Sequence, residues 1–256
     1  KKYSIEIEAI ELTPPNTIEN SSQTNAISKA FFESIDGIIL NPIESEKKKL
    51  IPILELIKIN NIQVIFVESQ IKSFIPLTYI KPDELNAGKL LAKAIMNNLP
   101  TGGRVAILST NNSLQYEERL QGVKDILGYK RIEKIIYANP SHLDALTEIQ
   151  KARSEDRNHY INGWIFLDDW ALRGDSSLKL EELKPLVSIQ SSAITNHYFE
   201  LGYLEALVIH PYYDWGLEAS KVMIEKIYKN INPNCTLIQL PPILINKNNY
   251  DYYKHK

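Results

Sequence analysis

The feature that most constrains this chain is a repeated alternation between short apolar runs of strand character and longer stretches with helical spacing. Gly37–Leu40 and Ile62–Val67 are compact apolar strands, and between them Ser45–Asn60 carries Leu50, Ile53, Leu54 and Ile57 on one helical face. Upstream, Tyr3–Ala9 alternates as a strand, and Thr24–Ser34 follows as a helix behind the cap-like Asn20-Ser21-Ser22. Apolar strands separated by helices predict a parallel sheet covered on both faces.

The pattern then restarts. Asp83 caps a predicted helix to about Asn98, Gly103–Leu108 is a strand, and Ser113–Leu127 is a helix stopped at Gly128. Strands are predicted at Arg131–Ala138, Trp164–Leu167, Leu186–Ile189 and Leu204–Ile209, with a helix at His142–Asp156. Trp215–Lys229 is a last long helix, and Leu237–Leu240 and Ile243–Ile245 are short strands split by Pro241-Pro242. The expected fold is α/β, with two doubly wound parallel-sheet lobes joined by a multi-strand hinge. The expected lobes are residues 1–82 plus 211–240 and residues 83–210 plus 241–256. Ligands of such sheets bind beyond the carboxyl ends of the strands. Those ends carry Glu68-Ser69, Asp168-Asp169, Gln190 and His210.

Charge narrows the partners. Lys plus Arg is 29 against 31 Asp plus Glu, a net charge of −2, so no basic stripe for non-specific nucleic-acid binding is expected. One cysteine, Cys235, rules out an internal disulfide and a cysteine metal cluster. The longest apolar runs fall far short of the ~20 residues of a membrane span. Lys1-Lys2-Tyr3 does not read as a signal peptide, so none is expected in this chain.

Seven stretches now align with one family's pattern. Ile35-Asp36-Gly37-Ile38-Ile39-Leu40-Asn41-Pro42 is similar to "DGIIL-x-P", and Asn61–Ser69 to "gIPVV-x-x-D-S". Asp83 with Gly88 matches "D-x-x-x-x-G", and Arg119-Leu120-Gln121-Gly122-Val123 matches "R-x-x-G-F". Phe166-Leu167-Asp168-Asp169 with Gly174, His210-Pro211 with Gly216, and Pro241–Asn249 resemble three further motifs in the family order. Together the chain resembles the type I periplasmic binding proteins, which include ribose, arabinose and galactose receptors and the effector domains of lactose-repressor relatives. The tail resembles the receptors more than the repressors. Measured against that family, Tyr3–Ala9 is the second strand and Thr24–Ser34 the second helix, so the first strand–helix unit is expected to be absent here.

The resemblance implies a receptor that closes around a small polar solute, a sugar or polyol, by a hinge near Pro76–Asp83, His210-Pro211 and Pro241-Pro242. A transporter or a sensor protein would read the closed form, in a periplasmic or extracytoplasmic setting. Arg119 has a fork able to hold two ligand oxygens, the alternative being a surface pair with Glu117 or Glu118. Asp168 stands at the family's amide, Gln190 at a common aspartate and His210 at a common amide. Glu68 stands at the hinge carboxylate, and Trp170 is a stacking candidate whose alternative is packing. Asn41 and Tyr116 are secondary candidates, and Asp169 is expected to be structural. Two carboxylates beside one arginine also permit an amino-bearing solute.

Other functions lack signatures. There is no G-x-S-x-G, no phosphate-binding G-x-x-x-x-G-K-[ST] and no H-E-x-x-H. The five histidines have no ligand-like spacing. No catalytic residue, metal or cofactor is expected. The other readings are the effector core of a lactose-repressor-like regulator and a sensor domain that binds a partner protein without ligand.

Overall fold

A computed structural model of the chain describes residues 6–11, 23–111, 114–174, 178–189 and 192–253. They form two compact units, Lys1–Lys81 with Tyr212–Leu240, and Pro82–Pro211 with Pro241–Lys256. The chain therefore crosses between units three times.

The first unit is a sheet in the order β1-β2-β3-β9, formed by Gly37–Leu40 (β1), Gln63–Val67 (β2), Thr78–Pro82 (β3) and Leu237–Leu240 (β9). β1, β2 and β3 run parallel, with Ile38 opposite Val64 and Phe66 opposite Tyr79. Side chains of a strand alternate between faces, and here both faces are covered. Val64 and Phe66 pack with Leu50, Leu54 and Ile57 of α2 (Lys47–Ile59) and with Ile27 of α1 (Gln23–Phe32). Ile65 and Ile80 pack with Trp215, Ala219, Val222 and Met223 of α7 (Tyr212–Lys229). This is the two-sided burial that continuous apolar strands require.

Residues 6–9 of the expected first strand form no strand and are exposed, while Tyr3, Ser4 and Ile5 lie outside the described residues. A strand exists only through bonds to a neighbour, and β1 pairs only with β2 among the described residues. The cap-like Asn20-Ser21-Ser22 also lies outside them.

The second unit holds a six-stranded sheet, in the order β10-β8-β7-β6-β4-β5. Its strands are Arg104–Ser109 (β4), Ile132–Tyr137 (β5), Ile161–Phe166 (β6), Leu186–Ile189 (β7), Ala206–Ile209 (β8) and Ile243–Ile245 (β10). Only β10 runs antiparallel, against β8. Val105, Ile107, Ile165, Val187 and Val208 share one core with α3 (Glu84–Met96) and α4 (Leu114–Leu127). Ala106, Leu108, Trp164, Phe166 and Leu207 share the other with α5 (His142–Glu155) and α6 (Ala193–Glu200). Strand β3 and helix α6 were not read from the sequence. β3 is hidden among Pro76 and Pro82, and α6 is a short helix closed by a Ser192–Thr195 capping box.

Two glycines set the spacing of α3 and α4. A Cβ on Gly88 would stand 1.9 Å from the carbonyl oxygen of Arg119, and one on Gly122 would stand 2.0 Å from that of Leu85. The helices cross backbone to backbone at these points, which is why the "D-x-x-x-x-G" and "R-x-x-G" motifs carry glycine there. Among the described residues no helix is long and apolar enough to cross a membrane.

Candidate functional site

The close α3–α4 crossing brings two oppositely charged side chains together at the carboxyl edge of the six-stranded sheet. Asp83 caps α3 through a bond its carboxylate accepts from the Asn86 N–H at 3.2 Å. Glu84, the first residue of α3, is buried. Arg119, in the second turn of α4, is 1 % exposed. Its Nε donates to Glu84 Oε2 at 2.6 Å and its Nη2 to Glu84 Oε1 at 3.0 Å, a bidentate pair. The remaining nitrogen, Nη1, donates to the Leu167 carbonyl at 2.7 Å and reaches Asp168 Oδ2 at 3.3 Å.

His210, directly after β8, closes the cluster from the other side. Its Nε2 lies 3.1 Å from Glu84 Oε2, an arrangement in which the ring N–H donates to the carboxylate. Burial by itself raises the Glu84 carboxyl, but His210 and Arg119 together hold it below its ordinary value. Burial disfavours the charged Arg119 guanidinium, and Glu84 more than offsets this, keeping it protonated.

Asp168 follows β6 and is the part of the cluster that meets solvent, with its side chain 18 % exposed. Its Oδ2 accepts the Tyr116 hydroxyl at 2.8 Å and its Oδ1 accepts the Asp169 backbone N–H at 2.7 Å. Burial and the Asp168 charge push the Tyr116 phenol upward, so it stays a donor. The Tyr116 ring also carries the Arg119 guanidinium, 5.2 Å from its centroid. Trp170 is 7 % exposed and packs in the core. Its indole N–H meets no hydrogen-bond acceptor among the described residues.

The expected residues thus divide. Arg119, Asp168 and His210 are brought together with Tyr116 around Glu84. The Arg119 fork engages Glu84, and not Glu117 or Glu118 as the surface alternative had it. Trp170 has a packing role, and Asp169 is buried and paired with Arg173, Nε at 2.8 Å and Nη2 at 2.6 Å. Gln190 lies outside the described residues. Glu68 belongs to the first unit, at the end of β2. Its backbone is left-handed, φ 65°, and its carboxylate accepts the exposed Asn41 amide at 2.7 Å.

Sequence reasoning missed Glu84. The available signal was its register: Glu84 stands one turn ahead of Ala87, Gly88, Leu91 and Ile95, all buried on one helical stripe. A carboxylate on such a stripe needs a buried cation, and Arg119 is the nearest motif arginine in sequence.

A concavity of about 380 Å³ opens at the carboxyl ends of β4 and β5, lined by Thr110, Asn111, Asn139, Asp144, Thr147 and Glu148 among others. It shares no residue with the cluster. Among the described residues no group of three or more His, Cys, Asp or Glu is placed to hold a metal ion.

A family model described as "Periplasmic binding protein domain" matches residues 1–230. No curated protein matches the chain. Among solved structures, the chain is similar to a periplasmic ribose ABC transporter protein from Conexibacter woesei, at 20 % identity and TM-score 0.78, covering 91 % of this chain and 80 % of that one. It is similar to an arabinose-binding protein from Geobacillus stearothermophilus, at 14 % identity and TM-score 0.78, covering 90 % and 83 %. It is also similar to a Caulobacter myo-inositol binding protein, at 20 % identity and TM-score 0.66, covering 90 % and 80 %.

Proposed function

The chain belongs to the periplasmic binding protein family, a family of non-enzymatic solute binders, and on that premise we propose that it is a receptor for a small polar solute of sugar or polyol type. The observation that carries this reading is Asp168. It is a strand-end carboxylate at the ligand edge of a doubly wound sheet, oriented by Tyr116 and Arg119 and still open to solvent. A carboxylate held from one side presents its remaining lone pairs to hydroxyl or amine donors of a ligand. In this reading Asp168 and Tyr116 touch the ligand, and Arg119 and His210 act as positioning groups through Glu84. Glu68 and Gln190 are further contacts proposed from the sequence alone.

The structural neighbours named for ribose, arabinose and myo-inositol support the polyhydroxylated class. The same reading makes the protein extracytoplasmic and gives it a membrane transporter or a sensor as partner. Ligand-driven closure, expected from the sequence, is then the signal that the partner reads.

The test is a thermal-shift screen of the chain against pentoses, hexoses, inositols, amino sugars and nucleosides. A ligand at 100 times its Kd adds ~2.7 kcal/mol of stability, a clear upward shift. Asp168→Ala is expected to weaken the identified ligand by about tenfold or more. Unchanged affinity in that variant would remove Asp168 from the site, and a cooperative melt unmoved by every compound would count against the sugar and polyol class.

A further inference from the structure

Asp168 is followed by a tight turn, Trp170–Leu172, that is braced twice. The first brace is internal. Asp169 holds Arg173 four residues on, Nε at 2.8 Å and Nη2 at 2.6 Å, and the Asp169 carbonyl accepts the Leu172 N–H at 2.8 Å. Bonds within a turn set its shape and move with it. They do not fix where the turn lies against the rest of the fold.

The second brace comes from another element. His142, the first residue of α5, brings its ring Nδ1 to 2.7 Å from the Ala171 carbonyl oxygen. A carbonyl only accepts, so Nδ1 carries the proton. The Ala171–Leu172 peptide is thereby held at both ends, its oxygen by His142 and its N–H by Asp169. The ring also fills the space of a side chain at the far end of the turn: a Cβ on Gly174 would stand 2.0 Å from it. The start of α5 is itself anchored. Ser141 caps the helix by accepting the Asp144 N–H at 3.2 Å, and the Asn139 amide donates to the Asp144 carboxylate at 2.7 Å.

What the turn carries is the Asp168 carboxylate. Its Oδ1 accepts the Asp169 N–H at 2.7 Å, and the Asp168 carbonyl accepts the Ser188 hydroxyl at 3.2 Å. The Asp168–Asp169 peptide, which leads into the turn, therefore sets the direction of the carboxylate. A turn that slid along α5 would rotate that peptide and swing Oδ2 away from the Tyr116 hydroxyl.

We propose that His142 is a positioning residue of the solute site: its Nδ1–H, bonded to Ala171, holds in place the turn that aims the Asp168 carboxylate. The inference rests on the receptor reading above and adds to it a residue from outside the Glu84 cluster. No contact with the solute is assigned to His142. The competing account is packing alone, since Trp170, Ala171 and Leu172 share a core with Ala145 and Ile149 of α5. Packing needs bulk at position 142, whereas the proposal needs a donor at one place on the ring.

The test separates the two with substitutions in the whole chain. His142→Leu keeps bulk against Gly174 and removes the donor. His142→Asn puts an amide N–H close to the place of Nδ1, and His142→Gln puts one near that of Nε2. Amide hydrogen exchange of residues 169–174 reads the hold on the turn. Exchange is expected to quicken about three- to tenfold in the Leu and Gln variants, the range one hydrogen bond is worth, and to return to the wild-type rate in the Asn variant. Nitrogen NMR of the wild type is expected to find the neutral His142 ring protonated at Nδ1. Calorimetry with ribose, arabinose and myo-inositol reads the use of the turn. The probe that binds is expected to lose affinity in the same order, and His142→Leu is expected to add nothing once Asp168→Ala is in place. Wild-type exchange in His142→Leu, no recovery in His142→Asn, or a neutral ring protonated at Nε2 would overturn the inference and leave the receptor reading standing. Absence of binding to all three probes by the wild type would count against the receptor reading, with the exchange rates still upholding or overturning the hold of His142 on the turn.

Discussion

Glu68 and Glu84 are the same side chain at the ligand edges of two parallel sheets, and they could hardly be used more differently. Glu68 ends β2 in the first unit, in a left-handed backbone, with an exposed Asn41 amide on its carboxylate. Glu84 opens α3 in the second unit, buried, with both oxygens on Arg119 and one shared with His210. The first is a polar group left near water, whose bond competes with hydration and contributes little. The second is a charge that exists in the fold only because its partners are built around it. The comparison teaches that edge position alone does not decide how a carboxylate is held. In the second unit, Arg119 of α4 is buried against Glu84, while the Asp168 side chain stays 18 % exposed.

That contrast can be broken from the second unit first. Arg119→Ala removes the cation and strands a buried carboxylate, and a loss of about 3–5 kcal/mol is expected. Urea unfolding of the purified variant measures it, and a loss below about 1 kcal/mol would mean that Glu84 finds water or protons instead. Gly122→Ala places a methyl 2.0 Å from the Leu85 carbonyl and forces α3 and α4 apart. A loss of ~1–3 kcal/mol or more is expected, accompanied by weaker binding of whatever ligand the screen finds. Separation of the helices disturbs the Glu84–Arg119 pair.

Acid sharpens the comparison further. The Glu84 carboxyl lies below its ordinary value of 4.5 because His210 and Arg119 outweigh the opposing effect of burial. As pH falls, the unfolded chain therefore takes up this proton first. The stabilisation is complete above about pH 4.5 and disappears as pH drops through the lower folded value. Asp169, pushed upward by burial, acts in the opposite sense, so the Glu84 share is read as a difference. Wild type and Glu84→Gln, unfolded in urea from pH 7 to pH 3, are expected to converge as the solution acidifies. Parallel curves would assign the acid sensitivity elsewhere. The smallest effect belongs to the first unit. Asn41→Ala deletes the donor to Glu68 and is expected to cost at most about 1 kcal/mol. A larger change in melting temperature would show that the Glu68 edge is built as firmly as the Glu84 edge.

Much of this was legible before any coordinates. Gly37–Leu40, Leu186–Ile189, Leu237–Leu240 and Ile243–Ile245 are strands at the residues where apolar runs end against polar or proline residues. Leu50, Leu54 and Ile57 are buried on one face of α2, as their spacing requires. Gly128 ends α4 at a φ of 68°, a conformation glycine adopts without a Cβ penalty. Residues 6–9 of the strand expected at Tyr3–Ala9 form none, because pairing is supplied by a neighbour and not by the segment itself. Ile227 stands one helical step beyond Ala219 and Met223 yet is exposed, two residues before α7 ends at Lys229.

What the sequence by itself determined is local and periodic. It set which segments could be strands or helices, where they stop, and which polar residues fall at strand ends. Those follow from side-chain spacing, backbone preference and caps, all of which act within a few residues. How each of those polar residues is buried and paired was decided only by the tertiary structure. Glu84 and Arg119 are thirty-five positions apart, and His210 is one hundred and twenty-six from Glu84. Their roles depend on a helix crossing that two glycines permit and on the burial that follows from it. Charge acts through distance and dielectric, and both are properties of the folded arrangement.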